Sequence, residues 1–170
     1  MTDHRPLPLD PIAEARQQWV DHGWDEASDG MAAVTSVMRA HQIFMQRIDA
    51  LLRPLDLTFA RYEVLMLLSF SRTGALPMTR IGSRLQVHPT SVTSAVDRLE
   101  GQGFVRRDPH PQDRRAVLAS ITDEGRRIAE KATAALNADV FASPGLTPAQ
   151  TRSLVEVLTT LRVDAGDFTR

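Results

Sequence analysis

The feature that most limits what this chain can fold into is a single change of hydrophobic period. Met78, Ile81 and Leu85, then Val92, Val96 and Leu99, recur at helical spacing in two short segments separated only by Gln86 to His88. After Gly101 and Gly103 the period drops to that of a strand. "FVRRD" and "AVLASIT" are short runs rich in Val and Ile, joined by "PHPQDRR". Two short helices on a tight connection, the second with Pro89 near its start, followed by a hairpin, describe a winged helix-turn-helix.

The flanking segments read as helices. Residues 1–9, "MTDHRPLPL", form a flexible arm, and Asp10-Pro11 then supplies a cap and a first-turn proline for a short helix ending near Gly23. From Met31, the residues Val34, Val37, Met38, His41, Phe44, Met45, Ile48, Leu51 and Leu52 keep one apolar stripe until Pro54 stops the helix. Thr58 caps the next helix, which carries Tyr62, Val64, Leu65, Leu67, Leu68 and Phe70 and is closed by Gly74. Thr122 caps a long helix after the hairpin, with Asp123 and Glu124 against its positive end. Thr147, Pro148 and Gln150 make a capping box for a last helix with Leu154, Val157, Leu158 and Leu161 on one face. The expected fold class is mainly α with a small β-hairpin.

Composition narrows the function. The chain has 170 residues, 42% of them hydrophobic, which is enough for a real core, and no cysteine, which removes disulfides, thiolate metal sites and thiol redox sensing. No apolar run reaches the roughly 18 residues of a membrane span and the N-terminus has no secretory apolar segment, so a soluble cytoplasmic protein without membrane contact is expected. The five histidines (4, 22, 41, 88, 110) show no metal-binding spacing, and no phosphate loop, dinucleotide fingerprint or nucleophile elbow is present. Neither an enzyme nor a cofactor or metal is expected.

Charge is unevenly placed. Residues 1–30 hold two arginines against seven acids, a net −5, whereas residues 77–116 hold seven arginines against four acids, a net +3, in a chain whose total is −1. A polyanion can be met locally by such a region; a solvated surface is the alternative. On the second short helix the inward Val92, Val96 and Leu99 leave Pro89, Thr90, Ser91, Ser94 and Arg98 outward, with Thr93 near the margin. Short hydroxyls permit close backbone approach and bond base edges or phosphates, and Arg98 reaches either.

The run Arg106, Arg107, Asp108, Asp113, Arg114, Arg115, leading to Ile121, Thr122 and Gly125, resembles the "R-x-D-P-x-D-x-R" wing and "L-T-x-x-G" sequel of MarR-family transcriptional regulators. The likeness extends from about Met31 to Leu161. It departs by an insertion through His110-Pro111-Gln112, by Ile121 where leucine is common, and by Ser94 where many members carry a basic residue. A minor groove about 6 Å wide concentrates negative potential, and a guanidinium on a stiff hairpin can enter it. Arg115 is that candidate. The resemblance implies that Asp113 orients it, while Arg114, Arg106 and Arg107 serve phosphates or brace the hairpin. The opposing reading is a charged turn held by its own ion pairs.

The resemblance also implies partners: double-stranded DNA carrying a pseudo-palindromic operator, and a second copy of the chain. Residues 10–57 and 123–170 would then be N- and C-terminal dimerisation helices around a winged-helix DNA-binding domain at 58–122, because their apolar stripes need cover that an isologous dimer provides. Family members respond to small, often aromatic or phenolic effectors bound beside the dimer helices. Candidate lining residues are Trp19, His41, Phe44, Met45, Tyr62, Met66 and Phe70, for most of which ordinary core or interface packing is the competing role. The function expected is a homodimeric, sequence-specific DNA-binding regulator, a repressor released by its ligand. The alternative is a winged helix that binds protein and not DNA.

Overall fold

The computed structural model describes residues 7–110 and 116–169. The chain divides into two compact units, Met1–Arg47 and Ile48–Arg170. Among the described residues no helix is long and apolar enough to cross a membrane.

The first unit holds α1, Pro11–Asp21, and most of α2, Asp25–Leu52. The Asp10 carboxylate accepts from the Ile12 amide at 2.9 Å and Pro11 occupies the first turn, as the local sequence requires. Gly23, with φ of +77°, turns the chain between the two helices. Trp19 and Trp24 meet edge to face across that turn, their centroids 5.3 Å apart. The long helix begins six residues before the apolar stripe that announces it. Asp25 and Glu26 in its first turn complement the helix dipole, and hydrophobic periodicity cannot register a polar opening turn.

The second unit is built on α3, Phe59–Phe70; β1, Ala75–Pro77; α4, Met78–Leu85; α5, Pro89–Gly101; β2, Val105–Pro109; β3, Val117–Ile121; α6, Asp123–Leu136; and α7, Pro148–Asp164. Its core gathers Leu52, Leu65 and Leu68 with Ile81 of α4, Val96 and Leu99 of α5 and Leu136 of α6, all fully buried. The helix-turn-helix is therefore present as read, and its inward faces are those the spacing marked.

The sheet goes beyond the expected hairpin. It has three antiparallel strands in the order β1-β3-β2, with Leu76 opposite Ala119 and Arg107 opposite the same residue on the other side. Three residues are too few to show alternation, so β1 exists because β3 offers it a free edge. The α3 helix also stops earlier than Gly74, at Phe70: the Ser71 hydroxyl bonds Leu68 O at 2.8 Å, and Gly74, with φ of +70°, turns the chain into β1 instead.

Caps set the remaining boundaries. Thr58 accepts from the Arg61 amide, Thr122 from Gly125 at 3.0 Å, and Thr147 with Gln150 forms the full reciprocal box. The Thr122 hydroxyl also donates to Gly103 O at 2.7 Å, and its amide donates to Phe104 O at 3.0 Å. One residue thus caps α6 and fastens it to the root of the hairpin. After Leu136 the helix widens into a π turn, Asn137–Phe141.

Candidate nucleic-acid interface

The outward side of α5 is fully open: Pro89, Thr90, Ser91, Thr93, Ser94 and Arg98 are all exposed. The helix starts with His88, whose ring Nδ1 accepts from the Thr90 amide at 3.3 Å, and with Pro89 in the first turn. Thr93 Oγ1 donates to Pro89 O at 3.1 Å, so that hydroxyl is partly occupied by its own helix. Among the described residues the Ser91 and Ser94 hydroxyls make no hydrogen bond and Arg98 makes no ion pair.

Thr90, Ser91, Ser94 and Arg98 form one wall of a groove of about 880 Å³. The rest of its lining includes Asp56 of the turn after α2, Thr58 and Arg61 at the start of α3, and Gln102, none of which the sequence marked as a site residue. Helical spacing identified one face of α5; the rest of the lining depends on how α3 crosses it. The only local signal for that part was Thr58 as a cap.

The wing arginines divide. Arg107 is 27% exposed and grips α5: Nη2 lies 2.5 Å from Asp97 Oδ1 and Nη1 lies 2.6 Å from Glu100 Oε2. Its amide adds a third bond, to Glu100 Oε1 at 3.1 Å. Burial opposes the charge of this guanidinium, but Asp97 and Glu100 outweigh it and raise its pKa. These bonds tie β2 to α5. Arg106 stays 67% exposed with Nε 2.9 Å from Asp108 Oδ2. The Ser120 hydroxyl, then Arg106, holds the Asp108 carboxyl below its ordinary range. Asp113, Arg114 and Arg115 lie outside the described residues.

The candidate effector residues fall in both units. Trp19, His41, Phe44 and Met45 belong to the first; there His41 is exposed, and Phe44 and Met45 are half-buried. Tyr62, Met66 and Phe70 belong to the second. Tyr62 is buried with its hydroxyl 3.1 Å from Thr133 Oγ1, an ordinary core contact. Met66 and Phe70 open onto a cavity of about 470 Å³ whose far side carries Arg126, Glu130, Thr133 and Asn137 of α6 and the turn after it. Tyr62 does not line it.

This arrangement of helices and sheet is that of the MarR proteins. The MarR family model matches residues 57–117. A crystal structure of Sco5413, a MarR family transcriptional regulator from Streptomyces coelicolor, is 48% identical, covers 84% of this chain and 99% of that one, and superposes with a TM-score of 0.76. The chain belongs to the MarR family of transcriptional regulators. Sco3205, another MarR regulator of the same organism, solved in complex with DNA, is 27% identical over 94% of this chain and 91% of its own, with a TM-score of 0.68. The HTH-type transcriptional regulator YhbI of Bacillus subtilis strain 168 is 32% identical over 85 residues, which are 50% of this chain and 54% of that protein. The match thus spans about half the length of that curated relative.

Proposed function

We propose that this chain is a homodimeric, sequence-specific DNA-binding regulator that acts as a repressor and is released by a small aromatic or phenolic ligand. The observation that carries the reading is the outward face of α5, where Ser91, Ser94 and Arg98 stand exposed along one open groove. Sco3205, a MarR relative with the same fold, was solved bound to DNA, which supports the same partner here. In this reading α5 enters the major groove, its hydroxyls and Arg98 meet bases and phosphates, and the wing with Arg114 and Arg115 follows the adjacent minor groove.

One recognition helix reads too few bases for useful affinity, so the reading includes a second copy. The apolar face of α7 favours it: no residue of that helix is buried, and Leu154, Val157 and Leu161 on that face are each more than a third exposed. The cavity beside Met66 and Phe70, with Arg126 and Glu130 on its far wall, suits a small aromatic effector that carries polar substituents.

Selection of bound duplexes from a random pool tests the proposal. The expected product is a pseudo-palindrome whose half-sites lie about 10 base pairs apart. With about eight phosphates neutralised by the dimer, log affinity falls with log salt at a slope near −7. A chain that sediments as a monomer, or a pool that yields no enriched duplex at low salt, overturns it. A hydroxybenzoate titrated into the complex checks the effector: release of DNA is expected, and its persistence at saturating ligand removes that part of the reading.

A further inference from the structure

The turn that follows α2 uses an aspartate where glycine is the least strained choice. Leu57 N donates to Leu52 O at 3.1 Å and Asp56 N donates to Arg53 O at 3.0 Å, the paired bonds of a helix stop whose left-handed residue is usually glycine. Here that residue is Asp56, with φ of 50° and ψ of 39°. The left-handed conformation turns its carbonyl and its carboxylate toward the same neighbour, Gln102, the residue that caps the C-terminal end of α5.

Three of the four hydrogen-bonding positions of the Gln102 carboxamide, both N–H donors and one lone pair of the oxygen, are engaged within this cluster. Nε2 donates to Asp56 O and to Asp56 Oδ2, both at 2.8 Å, and Oε1 accepts from Arg61 Nη1 at 3.1 Å. Arg61 is tied in turn to Thr58 Oγ1 at 3.3 Å. An amide whose nitrogen faces two acceptors and whose oxygen faces a guanidinium has one permitted orientation. The four side chains join three elements, the turn after α2, the first turn of α3 and the end of α5, and they line the same groove as Ser91, Ser94 and Arg98.

We propose that Gln102 is a positioning residue for DNA recognition, its carboxamide clamping the end of α5 to the Asp56 turn and thereby setting the angle at which the recognition helix is presented. The proposal rests on the DNA-binding reading and deepens it. Gln102 meets the turn, not the nucleic acid; it acts through the base-facing residues of α5. Correct presentation rewards the cognate duplex alone, since phosphate attraction tolerates small changes of angle.

Two full-length variants separate this role from a merely structural one. Gln102→Leu removes every polar contact of the amide, whereas Asp56→Gly keeps the left-handed turn, relieves its strain and deletes only the carboxylate. Each variant is titrated with the duplex recovered by selection and with an unrelated duplex of equal length, over a range of salt. The ratio of the two affinities is expected to fall about tenfold, the scale of one charge-assisted hydrogen bond. Gln102→Leu leaves affinity for the unrelated duplex and the salt slope unchanged; Asp56→Gly, which also removes a negative charge from the groove, raises affinity for both duplexes by a common factor that cancels in the ratio, and it melts no lower than the parent.

Wild-type discrimination in Asp56→Gly overturns the proposal, as does an equal loss for both duplexes with a shallower slope, which marks a phosphate contact instead. Should the parent itself enrich no duplex, the DNA reading fails on its own. Amide exchange at Leu57 and Gly103 then judges the clamp: faster exchange of both in Gln102→Leu supports it, and unaltered exchange removes it.

Discussion

Replacing Gly125 by alanine tests how closely α6 is seated on the hairpin. A Cβ built there lies 2.0 Å from Phe104 O and 2.9 Å from both Phe104 C and Ile121 Cγ1, where ordinary contact begins at 3.4 Å. The obstruction is backbone, so no rotamer change relieves it. Nor can the Phe104 carbonyl recede freely, because it accepts the Thr122 amide at 3.0 Å. Crowding of this kind costs about 1–3 kcal/mol, and loosening that bond adds about 1 kcal/mol. Alanine's better helix propensity returns about 1 kcal/mol. The net is a destabilisation of about 2 kcal/mol, or a fall in Tm of roughly 4–8 °C for a chain of this size. Gly30→Ala is the control. It lies within α2 with nothing inside 4 Å of the new methyl, so the same substitution should raise stability by about 0.5–1 kcal/mol. Melting curves at one fixed protein concentration, which keeps any dimer equilibrium constant, compare the two. If Gly125→Ala melts at or above the parent, the close seating of α6 against Phe104 is wrong.

Arg98→Ala should weaken binding of the selected duplex by about 1–3 kcal/mol in a gel-shift titration without lowering Tm, because its side chain has no partner among the described residues; equal affinity would take Arg98 out of the interface. Arg107→Met should lower Tm but leave the salt slope of DNA binding where it was, since Asp97 and Glu100 already hold the guanidinium; a slope shallower by about one unit would make it a phosphate ligand instead. Glu63 provides a pH test. Burial raises its carboxyl above 4.5, so the folded state holds this proton more tightly than the unfolded chain and stability from this group is lost as pH rises through the window above 4.5. Glu63→Gln should therefore gain over the parent in denaturant melts at neutral pH and lose that advantage below pH 4.5; a gain independent of pH would place its cause elsewhere.

Much of the architecture could be read from local chemistry. Asp10, Thr58, Thr122 and Thr147 each cap the helix they precede, because a cap is a bond between residues two or three apart and leaves its mark in a short stretch of sequence. The inward faces of α4 and α5 were equally legible, since Ile81, Val92, Val96 and Leu99 repeat at the pitch of the helix that buries them. The polar first turn of α2 and the three residues of β1 were not, as neither carries a repeat long enough to detect.

What remained for tertiary structure was the choice of partner for each polar side chain. The amino-acid order by itself determined which segments are helices, which face of α5 looks outward and how much positive charge the wing carries. Only the folded chain decided that Arg107 bonds Asp97 and Glu100, and that Gln102 finds Asp56, 46 positions away. The physical reason is range. Periodicity and capping act within a turn or two of backbone, whereas a guanidinium or carboxamide takes whichever acceptor the packing of distant elements brings within about 3 Å.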